Sequence, residues 1–184
     1  MPYPAQTSRE AIVEMAQTLI ERDGMEQLSL AQLAAALNIK APSLYRHVAS
    51  KGELLQAVVA RIYTQLFTAY DTALQSGAGD PVQQLQHLLH AHRTFAHANP
   101  ASYVLAFTTQ DADAAALEAM ALLVQQRIAL LSGEARALAA LRGALALVHG
   151  FVMLELNGQF RRGGDLDAAF TAAVAAYLAG WSAH

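Results

Sequence analysis

The chain has no cysteine in its 184 residues. Disulfides, thiolate-bound metals and a cysteine nucleophile are therefore excluded, and the redox compartment is left open. Charge is scarce: 15% of residues are charged, with 12 Lys and Arg against 15 Asp and Glu. The acidic residues are scattered and form no compelling catalytic pair. No glycine-rich phosphate loop, GxSxG elbow or HExxH motif occurs. Strands written as alternating apolar and polar residues are also missing. No uninterrupted apolar run reaches the roughly 18–20 residues of a membrane span. The stretch from Ala137 to Leu156 comes nearest, and Arg142, His149 and Glu155 break it. The opening MPYPAQTSRE lacks the apolar centre of a signal peptide. These absences lead us to expect a soluble, cytoplasmic, all-α protein that is not an enzyme and needs no cofactor or metal.

What is present is apolar helix. Hydrophobic residues make up 54% of the chain, enough for a substantial core and a subunit interface besides. Three capping boxes mark helix starts: Thr7-x-x-Glu10, Ser29-x-x-Gln32 and Ser50-x-x-Glu53. Ile12, Ala16, Leu19 and Ile20 form one stripe, which ends at Gly24. Leu30, Leu33, Ala34 and Leu37 make the inner face of the second helix. A long helix begins at Ser50 and runs to about Gln75, where Gly77-Ala78-Gly79 breaks it. Asp80-Pro81 and Asn99-Pro100 open two more, because proline suits a first helical turn. Further helices are predicted from about Asp113 to Leu131, Glu134 to Phe160 and Asp165 to Trp181, about nine in all. The expected division is a three-helix domain over residues 1–50 and a larger helical domain over 51–184, joined through the long helix.

The chemistry sits in the short third helix. Ala41 and Pro42 start it, and Leu44 and Val48 point together toward the first two helices. Ser43, Arg46 and His47 share the opposite side, Lys40 precedes them, and Tyr45 lies on the flank. Lys51 opens the next helix. A helix, a tight turn and a second helix with outward polar groups is how a helix-turn-helix protein enters the DNA major groove. Arginine can grip guanine or phosphate, and hydroxyls commonly bond phosphate oxygens. The bland alternative is a polar surface turn in a helical bundle. One feature weighs against DNA. Residues 1–51 hold five basic residues (Arg9, Arg22, Lys40, Arg46, Lys51) and five acidic ones (Glu10, Glu14, Glu21, Asp23, Glu26), so their net charge is zero. The acids would have to lie away from the groove.

The run LAAALNIKAPSLYRHVASKGELL, above all Leu44-Tyr45-xx-Val48-xx-Lys51, resembles the TetR family of transcriptional regulators over about residues 7–60. The resemblance implies double-stranded DNA as partner, in the form of a palindromic operator. It places Ser29, Lys40, Ala41, Pro42, Ser43, Tyr45, Arg46, His47 and Lys51 at the DNA. Tyr45, His47 and Lys51 would hold the phosphate backbone, with Ala41 and Arg46 nearer the bases. There are two departures. Arg9 is the only basic residue ahead of the first helix stripe, and Asn38 replaces the usual glycine of the turn. Asparagine tolerates the left-handed conformation. The resemblance also implies a homodimer, a small-molecule effector and, in function, a repressor that its effector releases from DNA.

The C-terminal half resembles a branch of that family with a His-Gly pair in the penultimate helix, here His149-Gly150, although Val148 stands where tryptophan is common. Phe170, Val174, Tyr177 and Trp181 recur at i, i+4, i+7 and i+11 of the last helix. With Ala144, Val148 and Phe151 they are the expected dimer interface; the alternative is packing within one chain. Phe67, Tyr70, Phe95, Tyr103, Phe107, Met120, His149 and Met153 are candidates to line a pocket for an apolar or aromatic effector, or else plain core. His87, His90 and His97 share a helix face. Imidazoles so spaced can share a metal, but without a nearby carboxylate in that helix a solvated or hydrogen-bonded face is the better account. The competing functional classes are a helical-bundle enzyme or ligand carrier and an interaction adaptor.

Overall fold

In a computed structural model, residues 8–76, 79–109 and 114–182 are described, without the side chains of 114–116. The described residues hold nine α-helices and no strand. They are α1 (Arg9–Asp23), α2 (Leu30–Ala36), α3 (Ala41–Leu44), α4 (Lys51–Ser76), α5 (Pro81–Ala98), α6 (Pro100–Thr108), α7 (Ala114–Ser132), α8 (Glu134–Leu156) and α9 (Leu166–Ser182), with a 3-10 turn at Met25–Gln27. Packing groups residues 8–64 and 99–109 into one compact unit, and 65–98 and 114–182 into another.

Local chemistry sets the boundaries. The first helix is capped by Ser8, whose hydroxyl accepts the N–H of Ala11 at 3.1 Å; Thr7 lies outside the described residues, as do Gly77, Ala78 and Asp113. The capping box of α2 is complete: Ser29 Oγ accepts from Gln32 N, and Gln32 Oε1 accepts from Ser29 N. At α4, Ser50 Oγ accepts from Glu53 N while Glu53 reaches back to the N–H of Ala49. The end of α8 corrects the expectation of a helix to Phe160. It stops at Leu156, because Gly158 turns left-handed (φ 61°) and Gln159 N donates to Leu154 O across the end. Phe160 then lies against Phe151, with ring centroids 4.8 Å apart.

The first unit buries Ile12, Ala16 and Ile20 of α1 with Leu33, Leu44, Val48, Leu54, Val58 and Ile62. Tyr103 of α6 is fully buried in the same unit, where Tyr63 Oη donates to Ala106 O at 2.9 Å. In the second unit, α5, α7, α8 and α9 pack on one another. By length and composition α8 could cross a membrane. Its inner side, from Ala137 through Ala144 and Val148 to Val152, is instead part of this unit's core.

A buried ion cluster ties three helices of the second unit. Arg93 of α5 donates from Nε and Nη2 to both carboxylate oxygens of Glu155 on α8, at 2.8 and 2.6 Å. It also reaches Asp167 of α9 at 2.7 Å. The Glu155 side chain is 4% exposed. Burial raises its carboxyl pKa, but hydrogen bonds from Arg93 and His97 outweigh this and hold it below the ordinary range. The Arg93 guanidinium lies 5.0 Å from the Phe170 ring centroid, which adds a cation–π contact.

Candidate nucleic-acid interface

Helices α2 and α3 meet through residues 37–40. Asn38 takes φ 53°, the left-handed conformation predicted for it, and Ile39 N closes the end of α2 onto Ala34 O at 3.0 Å. The regular part of α3 is one turn, shorter than the helix to Val48 that the pattern suggested. The chain still curls on, since His47 N and Val48 N both donate to Leu44 O. Leu44 and Val48 are thereby buried, and the intervening residues are turned outward. Lys40, Ala41, Pro42, Arg46 and Lys51 are exposed, Tyr45 is 56% exposed, and Ser43 and His47 are half-buried. A tyrosine this open on a small unit with a well-filled core is not held there by packing. Ser29 differs from the rest: its hydroxyl is engaged in the capping box.

The charge objection resolves in the pairing. Arg9 bonds Glu53 at 2.9 Å, Arg22 bonds Asp23, and Arg61 meets Glu14 at 3.3 Å. Glu10 lies in the first turn of α1, where backbone N–H and the Ser8 hydroxyl hold its carboxyl below the usual range. Glu21 accepts the N–H groups of Ala101 and Ser102. Among the described residues of this unit, Lys40, Arg46 and Lys51 are the cations in no ion pair. A stretch with no net charge therefore keeps three unpaired cations flanking α3, Lys40 before it and Arg46 and Lys51 after it. Sequence reasoning missed this because the partners of Arg9 and Arg61 lie 44 and 47 residues away in the chain.

The expected pocket residues divide between the units. Tyr103 and Phe107 belong to the first, with rings 4.5 Å apart and Tyr63 5.9 Å from Phe107. Phe67, Tyr70, Phe95, Met120, His149 and Met153 belong to the second. There the Tyr70 hydroxyl is hydrogen-bonded to Nδ1 of His92, a residue not singled out from sequence because it falls off the histidine face. His92 is fully buried, and burial, helped by His149, pushes its pKa down to about 3. It is neutral at any physiological pH. The other histidines have separate partners: His87 bonds Ser76, His90 sets its edge on Phe170, and His97 bonds Glu155 at 2.9 Å. Among the described residues, no three His, Asp or Glu side chains gather as a metal site would require.

Four of the expected dimer residues, Ala144, Val148, Phe170 and Val174, are buried within the single chain. Phe170 lies 5.1 Å from both the His90 and Phe151 rings, Tyr177 Oη donates to Ala140 O at 2.5 Å, and Trp181 packs under Arg136. Periodicity identified a buried face but not what buries it. On α8, Leu138 and Leu145 are exposed on one flank and Leu154 on the opposite flank, and the outer side of α9 is largely Ala168, Ala172, Ala175, Ala176, Ala179 and Gly180.

Comparison with known proteins agrees with this geometry. Residues 12–58 match the family described as bacterial regulatory proteins, tetR family, and residues 85–177 match the tetracyclin repressor-like C-terminal domain. An uncharacterised HTH-type transcriptional regulator of Mycobacterium tuberculosis is 36% identical, over 96% of this chain and 83% of its own. The chain belongs to the TetR family of transcriptional regulators. YobS of Bacillus subtilis, an HTH-type regulator, is 27% identical over 94% of this chain and 92% of its own. Among solved structures, a protein of unknown function from Rhodococcus sp. RHA1 shares the fold with TM-score 0.85, at 22% identity and 99% coverage of both chains. A TetR variant from Acinetobacter baumannii AYE in complex with minocycline shares it with TM-score 0.72, at 23% identity, covering 95% of this chain and 96% of that one. In this TetR-family regulator the tetR-family match, residues 12–58, falls within the first unit.

Proposed function

We propose that this regulator is a dimeric repressor whose exposed α3 surface reads a palindromic operator and whose second unit binds a small apolar or aromatic effector. The carrying observation is the set of unpaired cations Lys40, Arg46 and Lys51 around exposed Tyr45, on a unit whose other described Lys and Arg side chains are all in ion pairs. Arg46 reads a base edge near Ala41. Tyr45, His47 and Lys51 hold phosphates, Ser43 and Lys40 flank the groove, and Pro42 sets the approach of the first turn. Ser29 serves by capping α2, and a phosphate can still lie near its exposed turn. The DNA-reading residues then end at Lys51, and the second unit, residues 65–98 and 114–182, serves effector binding and pairing of subunits.

A two-fold dimer gives one short helix its specificity by reading two half-sites together. The pairing surface we assign is the outward part of α8 and α9, supported by exposed Leu138 and Leu145 on α8 and by an exposed small-residue side of α9 that permits close helix approach. The buried Ala144, Val148, Phe170 and Val174 and the half-buried Phe151 support that surface from within, and Tyr177 and Trp181 steady its end. Phe67, Tyr70, Phe95, Met120, Met153 and His149 of the second unit are the effector-facing candidates. That a neighbour of this fold binds minocycline supports a small-molecule site of this kind, not that molecule as ligand. The protein works in the cytoplasm, catalyses no reaction and needs no membrane, metal or cofactor.

Release follows if the effector binds the DNA-incompetent state more tightly, tilting α4 and changing the spacing of the reading helices. A tight-binding effector that left operator affinity unchanged would refute this. The DNA reading is tested by Arg46→Ala and Lys51→Ala on a selected operator at stepped salt. Arg46→Ala should relax preference at one base pair by about 1–3 kcal/mol. Lys51→Ala should weaken all sequences alike and flatten the salt slope by about 0.9 for each phosphate it no longer neutralises. Unchanged affinity in both variants would remove α3 from the DNA.

A further inference from the structure

The polar contacts within the first unit single out one residue that the DNA-reading surface does not use. Glu21, in the last turn of α1, accepts the N–H of Ala101 on Oε1 at 3.0 Å and the N–H of Ser102 on Oε2 at 2.9 Å. These are among the orphan donors that open every helix. Helix α6 has Pro100 at its start, and no side chain at Asn99 caps it. The cap comes instead from a carboxylate 80 residues earlier in the chain. Both oxygens are engaged, so the grip fixes direction as well as distance.

Two further bonds complete a triangle. Arg61 of α4 bonds Gln17 of α1 at 3.0 Å and Glu14 at 3.3 Å, and Tyr63 of α4 bonds Ala106 of α6 at 2.9 Å. Thus α1, α4 and α6 are each tied to the other two by a polar contact. Of the three ties, only Glu21 holds the start of α6, and only it engages main-chain donors of another helix with a full charge. One side chain at this joint is unsatisfied: the Ser102 hydroxyl is fully buried and, alone among the described buried side-chain atoms, has no hydrogen-bond partner. A buried orphan is costly, so this arrangement is not one in which every group is at its best.

We propose that Glu21 is a positioning residue that makes α6 part of the DNA-reading body, so that DNA held by α3 is felt at the first turn of α6, and a displacement of α6 is felt at α1. The inference rests on the DNA-reading assignment above. Chain order gives it a use. Asn99 alone separates α6 from α5, and α7 follows it, so α6 is flanked on both sides by chain of the second unit. Coupling through such a joint is reciprocal: what DNA does to α6, α6 does to DNA affinity.

The test is hydrogen exchange of the full-length protein with and without operator DNA obtained by library selection. In the wild type, DNA should slow exchange of the α6 peptide by at least about threefold, as coupled local opening requires. Glu21→Gln keeps the size of the side chain but turns an N–H donor on one of the two amides. It should still fold, by circular dichroism, and still bind the operator. Its α6 exchange should no longer respond to DNA, and Glu21→Ala should behave likewise. Ser102→Ala, which removes the orphan hydroxyl but neither backbone donor, should keep the response and so separates coupling from packing damage. The proposal is overturned if Glu21→Gln binds DNA and retains the full α6 response. It is also overturned if the wild type binds DNA with no response at α6. A wild type that binds no DNA at all would instead remove the DNA-reading assignment, and this inference with it.

Discussion

Gly143 lies in the middle of α8 where a glycine is ordinarily a weakness. Replacing an interior helical glycine with alanine gains about 0.5–1 kcal/mol when there is room. Here there is none. A Cβ at this position would fall 3.1 Å from Cε2 and Cζ of Tyr177 and closer still to its hydroxyl. Tyr177 cannot simply swing away, because its hydroxyl donates to Ala140 O at 2.5 Å, one turn earlier on the same helix. Overpacking of this sort costs about 1–3 kcal/mol, and breaking the hydrogen bond costs about 1 kcal/mol more. After the propensity gain, Gly143→Ala should destabilise the protein by about 1–3 kcal/mol, lowering Tm by about 2–4 °C for each kcal/mol in a chain of this size. Urea denaturation followed by circular dichroism measures it. The Tyr177→Phe variant supplies the control: in that background the same Gly143→Ala change should cost clearly less, because the atom struck first is gone. A single variant as stable as the wild type, or more so, would refute the close approach of α9 to α8 on which this expectation rests.

Two more predictions come from the second unit. The unfolded chain takes up a proton on His92 below pH about 6.5, whereas the folded protein refuses it until near pH 3. Unfolding therefore binds a proton in that window, and stability should fall as pH drops through it, by about 3 kcal/mol at pH 4.5. His92→Gln should flatten the stability profile between pH 6.5 and 4, and an unchanged slope would contradict a buried neutral imidazole. At the ion cluster, Glu155→Gln removes the buried partner of the Arg93 guanidinium and leaves it only the exposed carboxylate of Asp167, which should cost about 1–3 kcal/mol in a denaturation experiment. Asp167→Asn, whose side chain is 86% exposed, should cost under about 1 kcal/mol. Equal costs for the two would deny the difference in burial.

The features legible in the sequence are those governed by neighbours in the chain. Ser29 and Gln32 form their box because they are three residues apart, Asn38 takes its left-handed turn, and Leu44 with Val48 bury on one side of a single turn. The helices follow for the same reason, since caps and prolines act locally. What could not be read were the partners. Phe170 and Val174 declare a buried face by their spacing, yet nothing local says whether α8 of the same chain or a second chain covers it. His92 falls off the histidine face by periodicity, and that is why it is the one buried. Glu21 looks like any exposed helical acid, and only the folded chain brings the opening of α6 to it. The zero net charge of residues 1–51 argued against DNA until Arg9, Arg22 and Arg61 were found in ion pairs, leaving Lys40, Arg46 and Lys51 unpaired.

If the α3 surface, presented twice, reads DNA sequence, selection of the purified protein against a random double-stranded library will show it. The selection is run near physiological salt and repeated with Arg46→Ala. The wild type should return a palindromic motif, with half-sites about one helical turn or more apart. The variant should return the same motif relaxed at one symmetric position. Recovery of no motif from protein shown to be folded, dimeric and stripped of bound small molecules by unfolding and refolding would contradict sequence reading by α3.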